Sequence, residues 1–404
     1  MMTFLSANAE SGISRRAMPA AQLILIAALA APLSAASQTA VVTPPADTTA
    51  QAASRKPQLD FSGLIFANYQ YHVDHERPES ANKFDVERAY LTFRVSAGER
   101  VSVRITTDVF QQTVPGNDAY YRGWTVRAKY AYLQYSFLHA ASWEANARIG
   151  LLQTVFIDYD ERYWPRWIAQ SPTDRAGYFA AADAGIAASL SFPRKLGEVY
   201  ATIVNGPGYT SREVDRFKDF AIRVTLAPFA SQARSPLRLI NATGWIYTGS
   251  TASRFVDGGP DEVGRVGSAL DRDRWGIHIG ALHPRATFAA EFVARRDEGE
   301  SGNNTLDSPR LVTDSTGTLT SVYAIVRPFK SARATPHPLS LIARYDRVRV
   351  NDAPQARYKV IIAGLSWDLS RSAAMSVDYQ ETTPIDPGAV ANGKIWFAHF
   401  VARF

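Results

Sequence analysis

The chain contains no cysteine. That absence excludes disulfide staples, thiolate metal sites and cysteine nucleophiles. Beyond residue 59 it also has no long apolar run, and its mean hydropathy is slightly negative at −0.17, so a bundle of membrane-spanning helices is excluded. Lysine is scarce beside arginine. The histidines His72, His75, His139, His278, His283, His337 and His399 form no metal-binding pair at helical spacing, and no Gly-x-Ser-x-Gly turn occurs. No catalytic residue, metal or cofactor is therefore assigned. The formal net charge of +6 would suit nucleic acid, but the positive residues are dispersed and follow no nucleic-acid-binding motif. No nucleic-acid partner is expected.

What is present begins with a short apolar run near the N-terminus. Arg15-Arg16 precede Leu23-Ile-Leu-Ile-Ala-Ala-Leu-Ala-Ala, which is followed by the small residues Ser34-Ala35-Ala36. This order predicts a secretory signal peptide over 1–36. Residues 37–58, with Thr43-Pro-Pro-Ala-Asp-Thr-Thr, lack apolar periodicity and read as a flexible leader. The folded domain is expected over 59–404.

The last eleven residues indicate the architecture. Trp396, Ala398, Phe400, Ala402 and Phe404 share one face of a strand, and Ile395, Phe397, His399, Val401 and Arg403 share the other. An aromatic strand running to a terminal Phe suits the closing strand of an outer-membrane barrel, whose outer face meets lipid. Sixteen alternating runs precede or include it: 59–73, 84–96, 101–110, 128–138, 143–153, 183–192, 197–206, 219–227, 236–248, 274–282, 287–296, 318–327, 339–349, 358–369, 372–381 and 394–404. Short turns such as Ser96-Ala-Gly-Glu99, His283-Pro-Arg285 and Ser370-Arg371 alternate with long polar loops near 111–127, 154–182, 249–273 and 297–317. A soluble sandwich has no reason to sort its connections in this way, and the blade repeat of a propeller is missing. The prediction is all-β: a transmembrane up-and-down antiparallel β-barrel of sixteen strands in the outer membrane of a Gram-negative bacterium.

On this reading one face of each strand meets lipid, as in Ala89, Leu91, Phe93 and Val95, or Val101, Val103, Ile105 and Val109. The same holds for Trp275, Ile277 and Ile279, for Phe288, Ala290 and Phe292, and for Ile361, Ala363, Leu365 and Trp367. An Arg or Lys on that face costs about 2–4 kcal/mol at mid-bilayer, so the alternating arginines should face the lumen. The inward set is Arg88, Arg94, Arg104, Asp108, Tyr130, Tyr132, Gln134, Arg148, Arg223, Arg274, His278, Glu291, Arg295, Arg344, Asp346, Asp378, His399 and Arg403. A sixteen-strand lumen holds water, and a wall rich in arginine attracts anions. Arg88, Arg94, Arg104, Arg148, Arg223 and Arg344 are the candidate pore-lining, anion-binding residues. Salt bridges to the lumen carboxylates that merely stiffen the wall are the competing explanation.

The segment after the fifth strand, Thr154 to Phe179, is too aromatic for a solvated loop, with Tyr159, Tyr163, Trp164, Trp167, Tyr178 and Phe179. It is expected to fold into the lumen as a constriction loop, with Asp158, Asp160, Glu161, Arg162, Arg166 and Arg175 forming an eyelet. Asp158-x-Asp160-Glu161 lacks the ligand spacing and glycine of a calcium loop. The aromatic cluster offers a rival reading as a sugar-stacking surface. A barrel enzyme with a Ser–His or Asp–His set is a more distant alternative.

Several stretches together resemble the phosphate-selective porins of the O and P type. They are Phe84-Asp-Val-Glu-Arg-Ala-Tyr-Leu-Thr-Phe93, Ala131-Tyr-Leu-Gln-Tyr135, Ala147-Arg-Ile-Gly-Leu-Leu-Gln153, Asp183-Ala-Gly-Ile186, Asn205-Gly-Pro-Gly208 and Lys218-Asp-Phe-Ala-Ile-Arg-Val224. The resemblance runs from the second strand to about the eighth. It implies a trimeric porin that passes small anions, phosphate or polyphosphate among them, by diffusion and without energy coupling. Arg88, Arg148 and Arg223 would be its inward basic positions. The implied partners are the permeant anion, outer-membrane lipid, two further copies of the chain, and the barrel-assembly machinery acting through the strand that ends at Phe404. The chain departs from the family in its scarcity of lysine, and alternation places Lys129 on the lipid face or near its rim. Phosphate, a broader range of anions and small solutes such as sugars therefore all stay open as cargo.

Overall fold

A computed structural model describes residues 57–73, 82–111, 123–140, 142–253, 269–302, 311–329, 339–353, 356–388, 390 and 392–404. The expected signal peptide and almost all of the expected leader lie outside the described residues. The strands are β1 (Gln58–His72), β2 (Asn82–Ala97), β3 (Val101–Gln111), β4 (Trp124–Ala140), β5 (Trp143–Gln153) and β6 (Ala182–Ser191). They continue as β7 (Gly197–Val204), β8 (Asp219–Leu226), β9 (Ile240–Ala252), β10 (Ala269–His283) and β11 (Ala286–Ser301). The last five are β12 (Leu311–Val326), β13 (Leu339–Arg349), β14 (Arg357–Asp368), β15 (Ala373–Pro384) and β16 (Gly393–Arg403). Each strand bonds its neighbours in sequence, and β1 bonds β16, so the sheet closes into the predicted up-and-down transmembrane barrel.

Alternation explains the burial, which is inverted relative to a soluble protein. Ile105, Ile149, Trp275, Ile277, Ile279, Phe288, Val322, Trp367, Trp396 and Phe400 are exposed on the outside. The large buried side chains, Trp164, Tyr178, Tyr323 and Phe156 among them, lie inside. Closure depends on a small residue. Gly63 and Phe404 exchange backbone hydrogen bonds at 2.7 and 3.1 Å, and the Phe404 ring lies where a Cβ on Gly63 would stand.

Connections at the rim where β1 begins and β16 ends are mostly tight, whereas those at the opposite rim, here called the loop rim, include 154–181 and 205–218. Several strands run further toward the loop rim than the sequence suggests: β9 reaches Ala252, β10 begins at Ala269, β11 reaches Ser301 and β12 begins at Leu311. There the residues are polar on both faces, so alternation fades while the backbone ladder continues.

Bulges interrupt the alternation in β2 and β4. Thr106 of β3 lies opposite Tyr130 and Thr107 opposite Ala128, which leaves Lys129 as the extra residue. A bulge gives two residues for one on the partner strand and re-aims the side chains around it. Lys129 is accordingly buried inside, 4.3 Å from the Tyr90 ring centre, which corrects its expected place on the lipid face. In β2, Glu87 is the extra residue between the Phe66–Arg88 and Ala67–Val86 pairs.

The rule that every strand arginine faces inward also needs correction. Arg347 and Arg349 share the outward parity of Tyr345 and are exposed. They lie near the loop rim, where the cost of a charge falls to about 0–1 kcal/mol.

Candidate functional site

The site is built by the segment 154–181 between β5 and β6. It contains two single-turn helices, α1 (Ile157–Asp160) and α2 (Pro172–Arg175). Its base is pinned by Thr154, which donates to the Ala180 carbonyl at 2.6 Å. From there its side chains reach side chains and backbone of β9 to β15. The Thr243 hydroxyl donates to Tyr159 Oη at 2.7 Å, and Thr173 donates to Glu291 at 3.2 Å. Gln380 donates to the Ile168 carbonyl at 3.1 Å, and Tyr178 Oη donates to the Arg349 carbonyl at 2.8 Å.

Aromatic contacts fill the space between these bonds. Phe179 meets Trp245 edge-on at 4.9 Å between ring centres, and Trp164 meets Tyr323 at 5.6 Å. Tyr163 lies over Gly280, where any Cβ would collide with its ring. Trp164 and Tyr178 are wholly buried. Each such ring removes roughly 150–250 Å² from water. The rings are wall-packed, so Trp164 does not present a sugar-stacking face.

This contact also takes three predicted residues out of the open lumen. Arg344 is 2% exposed. It pairs with Asp346 at 2.6 Å, donates to the Gln170 carbonyl at 2.5 Å and lies over the Trp164 ring. The expectation that it lines the pore is corrected: the segment 154–181 covers it. Asp160 is fully buried and accepts a hydrogen bond from Tyr323 Oη, so it is not part of an eyelet. Burial pushes the Asp160 carboxyl up to about 7, against the Tyr323 hydrogen bond and the Arg344 charge. Arg175 likewise turns to the wall, donating to Gln380 at 3.3 Å and Thr382 at 3.1 Å.

The opposite side of the segment faces β1 to β8. Asp158 borders two cavities there. One, of about 220 Å³, is also lined by Arg148, Arg162, Glu198 and Arg223. The other, of about 370 Å³, is lined by Arg104, Lys129, Glu161, Arg166 and Arg403. Asp160 points the other way, so the three carboxylates of Asp158-x-Asp160-Glu161 do not converge on one point.

Most wall cations here are held by aromatic faces. Arg104 lies 4.4 Å from the Tyr130 ring centre, Arg223 lies 4.4 Å from Tyr159, and Arg148 sits over Tyr132 and Tyr200. Aromatic faces orient a guanidinium without cancelling its charge. Arg148 donates to the neutral Gln134 at 2.8 Å. Arg223 pairs with Glu198 at 2.7 Å, and Arg162 with the same carboxylate at 3.5 Å. Arg88 and Arg127 share the single carboxylate of Asp108 at 3.1 and 2.9 Å. Arg166 lies between Glu161 and Asp174 at 3.6 and 3.8 Å. Arg94 is exposed at the far rim, 3.9 Å from Asp60.

Sequence reasoning missed Arg127 and Lys129. A signal existed: apolar residues fall on even numbers at Trp124, Val126 and Ala128, then on odd numbers at Ala131, Leu133 and Tyr135. That change of parity marks the bulge. The enzyme reading finds Ser376, Asp378 and His399 together inside. However, Ser376 donates to Asp378 at 2.9 Å while His399 stands 3.4 Å from the same carboxylate, and all three are buried. The carboxylate occupies the place that a base would need beside the hydroxyl.

No protein-family model matches the chain, and no curated protein matches it in sequence. Solved structures do match in shape. OmpF of Salmonella typhi, in complex with daunomycin, aligns with a TM-score of 0.57 at 10% identity, over 86% of this chain and 97% of its own. The outer membrane channel DcaP of Acinetobacter baumannii gives 0.52 at 12% identity, over 86% and 97%. The trimer form of OmpT, an outer membrane protein of Vibrio cholerae, gives 0.53 at 9% identity, over 86% and 99%. The chain shares its barrel fold with these proteins.

Proposed function

We propose that the chain is an outer-membrane porin, a water-filled diffusion channel that prefers anions. The observation that carries this is the division of the barrel interior by the segment 154–181. That segment acts as a constriction loop: it occupies the β9–β15 side and leaves the passage against β1–β8. The passage is then bordered by Arg104, Lys129, Arg148 and the doubly basic cluster at Glu198, with Asp158 and Glu161 among them. Fixed positive charge in excess along a narrow aqueous path raises the local concentration of anions and excludes cations.

The same arrangement supports passage of phosphate as one small anion among others. Arginine grips phosphate oxygens through paired donors, and Lys129 adds a point charge. The sugar reading loses Trp164, which is buried against the wall, whereas Trp167 borders the cavity of about 370 Å³. A homotrimer belongs to the same proposal, supported by the trimer form of the similar OmpT barrel.

The test is conductance of the purified protein in planar bilayers, with chloride, phosphate and maltose added in turn. The proposal expects open channels, anion preference, and current reduction by phosphate but not by maltose. Closed or cation-selective channels would sink it.

A further inference from the structure

The two cavities that meet at Asp158 differ in chemistry. The one of about 220 Å³ is walled by side chains such as Gln134, Glu144, Asn146, Ser189 and Ser191, which offer hydrogen bonds to a hydrated ion. The one of about 370 Å³ has an apolar wall made by Leu64, Phe66, Tyr90, Pro165, Trp167 and Val401. Strand register builds part of that wall: Phe66 lies directly opposite Val401, and Leu64 opposite Arg403. The Phe66 ring meets Tyr90 edge-on at 5.6 Å between ring centres. A chloride or phosphate ion gains nothing from such a surface, because it must shed water to touch it.

Beside this wall stands a cation without a counter-ion. Lys129 is 5% exposed and borders the cavity, and among the described residues its ammonium makes no hydrogen bond or ion pair. It lies 4.3 and 5.5 Å from the ring centres of Tyr90 and Tyr130. The bulge in β4 puts it there, since regular alternation would turn it to lipid. Arg104 and Arg403 border the same cavity and pair with no carboxylate among the described residues. A buried charge calls for an opposite charge, because ring faces replace only part of what water supplies. Asp158 and Glu161 also border the cavity, so a second negative charge on a guest would be repelled.

We propose that this cavity is a subsite for organic monocarboxylates with an apolar body. The carboxylate accepts from Lys129, with Arg104 or Arg403 as a second donor, and the body rests on the apolar wall. Benzoate is the probe: burying its ring favours it over acetate, which has the same charge and little apolar surface. The inference deepens the function proposed above and rests on its anion-preferring passage along β1–β8.

The test is single-channel recording of the full-length protein in planar bilayers, with benzoate, acetate or benzyl alcohol added. Benzoate should interrupt the chloride current at concentrations about tenfold or more below acetate. Benzyl alcohol, which has the ring without the charge, should not interrupt it. Lys129→Gln should shorten the benzoate blocks about tenfold or more. Val401→Thr, which keeps the shape but adds a hydroxyl to the wall, should also shorten them, and it decides alone if Lys129→Gln does not insert. Arg148→Gln, at the other cavity, should leave the block length unchanged. Benzoate acting like acetate or like benzyl alcohol, or block lengths unmoved by either cavity variant, overturns the proposal. Open, anion-preferring channels that ignore benzoate refute the subsite alone, whereas closed or cation-selective channels refute the porin reading. In that case saturation-transfer NMR of benzoate, with the protein in nanodiscs against empty nanodiscs, still decides the subsite: a signal lost in Lys129→Gln supports it, and no signal overturns it.

Discussion

The two sides of the barrel interior use arginine differently. On the β9–β15 side, Arg344 is dry, held by Asp346 and a loop carbonyl, and capped by Trp164. On the β1–β8 side, Arg104 and Arg148 are half-buried and held largely by tyrosine faces and neutral groups. The same side chain is a structural pin in one place and an available charge in the other. What separates the roles is whether the segment 154–181 covers the residue, and strand periodicity carries no information about that.

The largest effect should come from Arg344→Ala. It strands the Asp346 carboxylate in a dry site, a loss of about 3–5 kcal/mol for a broken buried pair. Thermal unfolding in detergent should fall markedly, and single-channel current should become noisy as the segment 154–181 loosens. An unchanged melting temperature would place Arg344 on the open side.

The next effect depends on pH. The Asp160 carboxyl is raised to about 7 in the docked segment and returns to about 4 when exposed to water. Because the docked form binds the extra proton, docking is fully supported below about pH 4 and weakens as pH rises through about 7. Protease access to the segment 154–181, or current noise, should therefore increase from about pH 5 to about pH 8. Asp160→Asn, which cannot ionise, should flatten that dependence. A wild type with no trend would show that Asp160 is not the pin.

Substitutions on the β1–β8 side should change selectivity more than stability. Lys129→Glu places a carboxylate beside Glu161 and should lower anion preference in bilayer recordings. If reversal potentials did not move, Lys129 would lie outside the passage. The smallest change is expected at Arg94→Gln, where an exposed pair is worth about 0–1 kcal/mol. Neither melting temperature nor selectivity should shift measurably.

The barrel was legible because lipid enforces alternation. All sixteen strands follow from apolar residues at every second position, and strand ends were missed where both faces turn polar, as at Thr313–Gly317, or where a bulge changes the parity, as at the start of β4. Parity also carried the bulges, since the apolar positions of β2 move from Phe84 and Val86 to Ala89 and Leu91. The site was only partly legible. The aromatic excess of residues 154–179 marks a segment that must bury its rings, but nothing local says which wall receives them. Asp158 and Asp160 are two residues apart and face opposite sides, because α1 rotates successive side chains by about 100°. Arg344 and Arg148 look alike in sequence, and only the packed segment separates them.

The account rests on the passage running along the β1–β8 wall, and a reversal potential tests this most directly. Wild type and Arg148→Glu would be recorded side by side in a KCl gradient across a planar bilayer. The account predicts an anion-selective wild type and a clear shift toward cations in the variant, with the fold intact. A cation-selective wild type, or identical potentials for the two proteins, would contradict it.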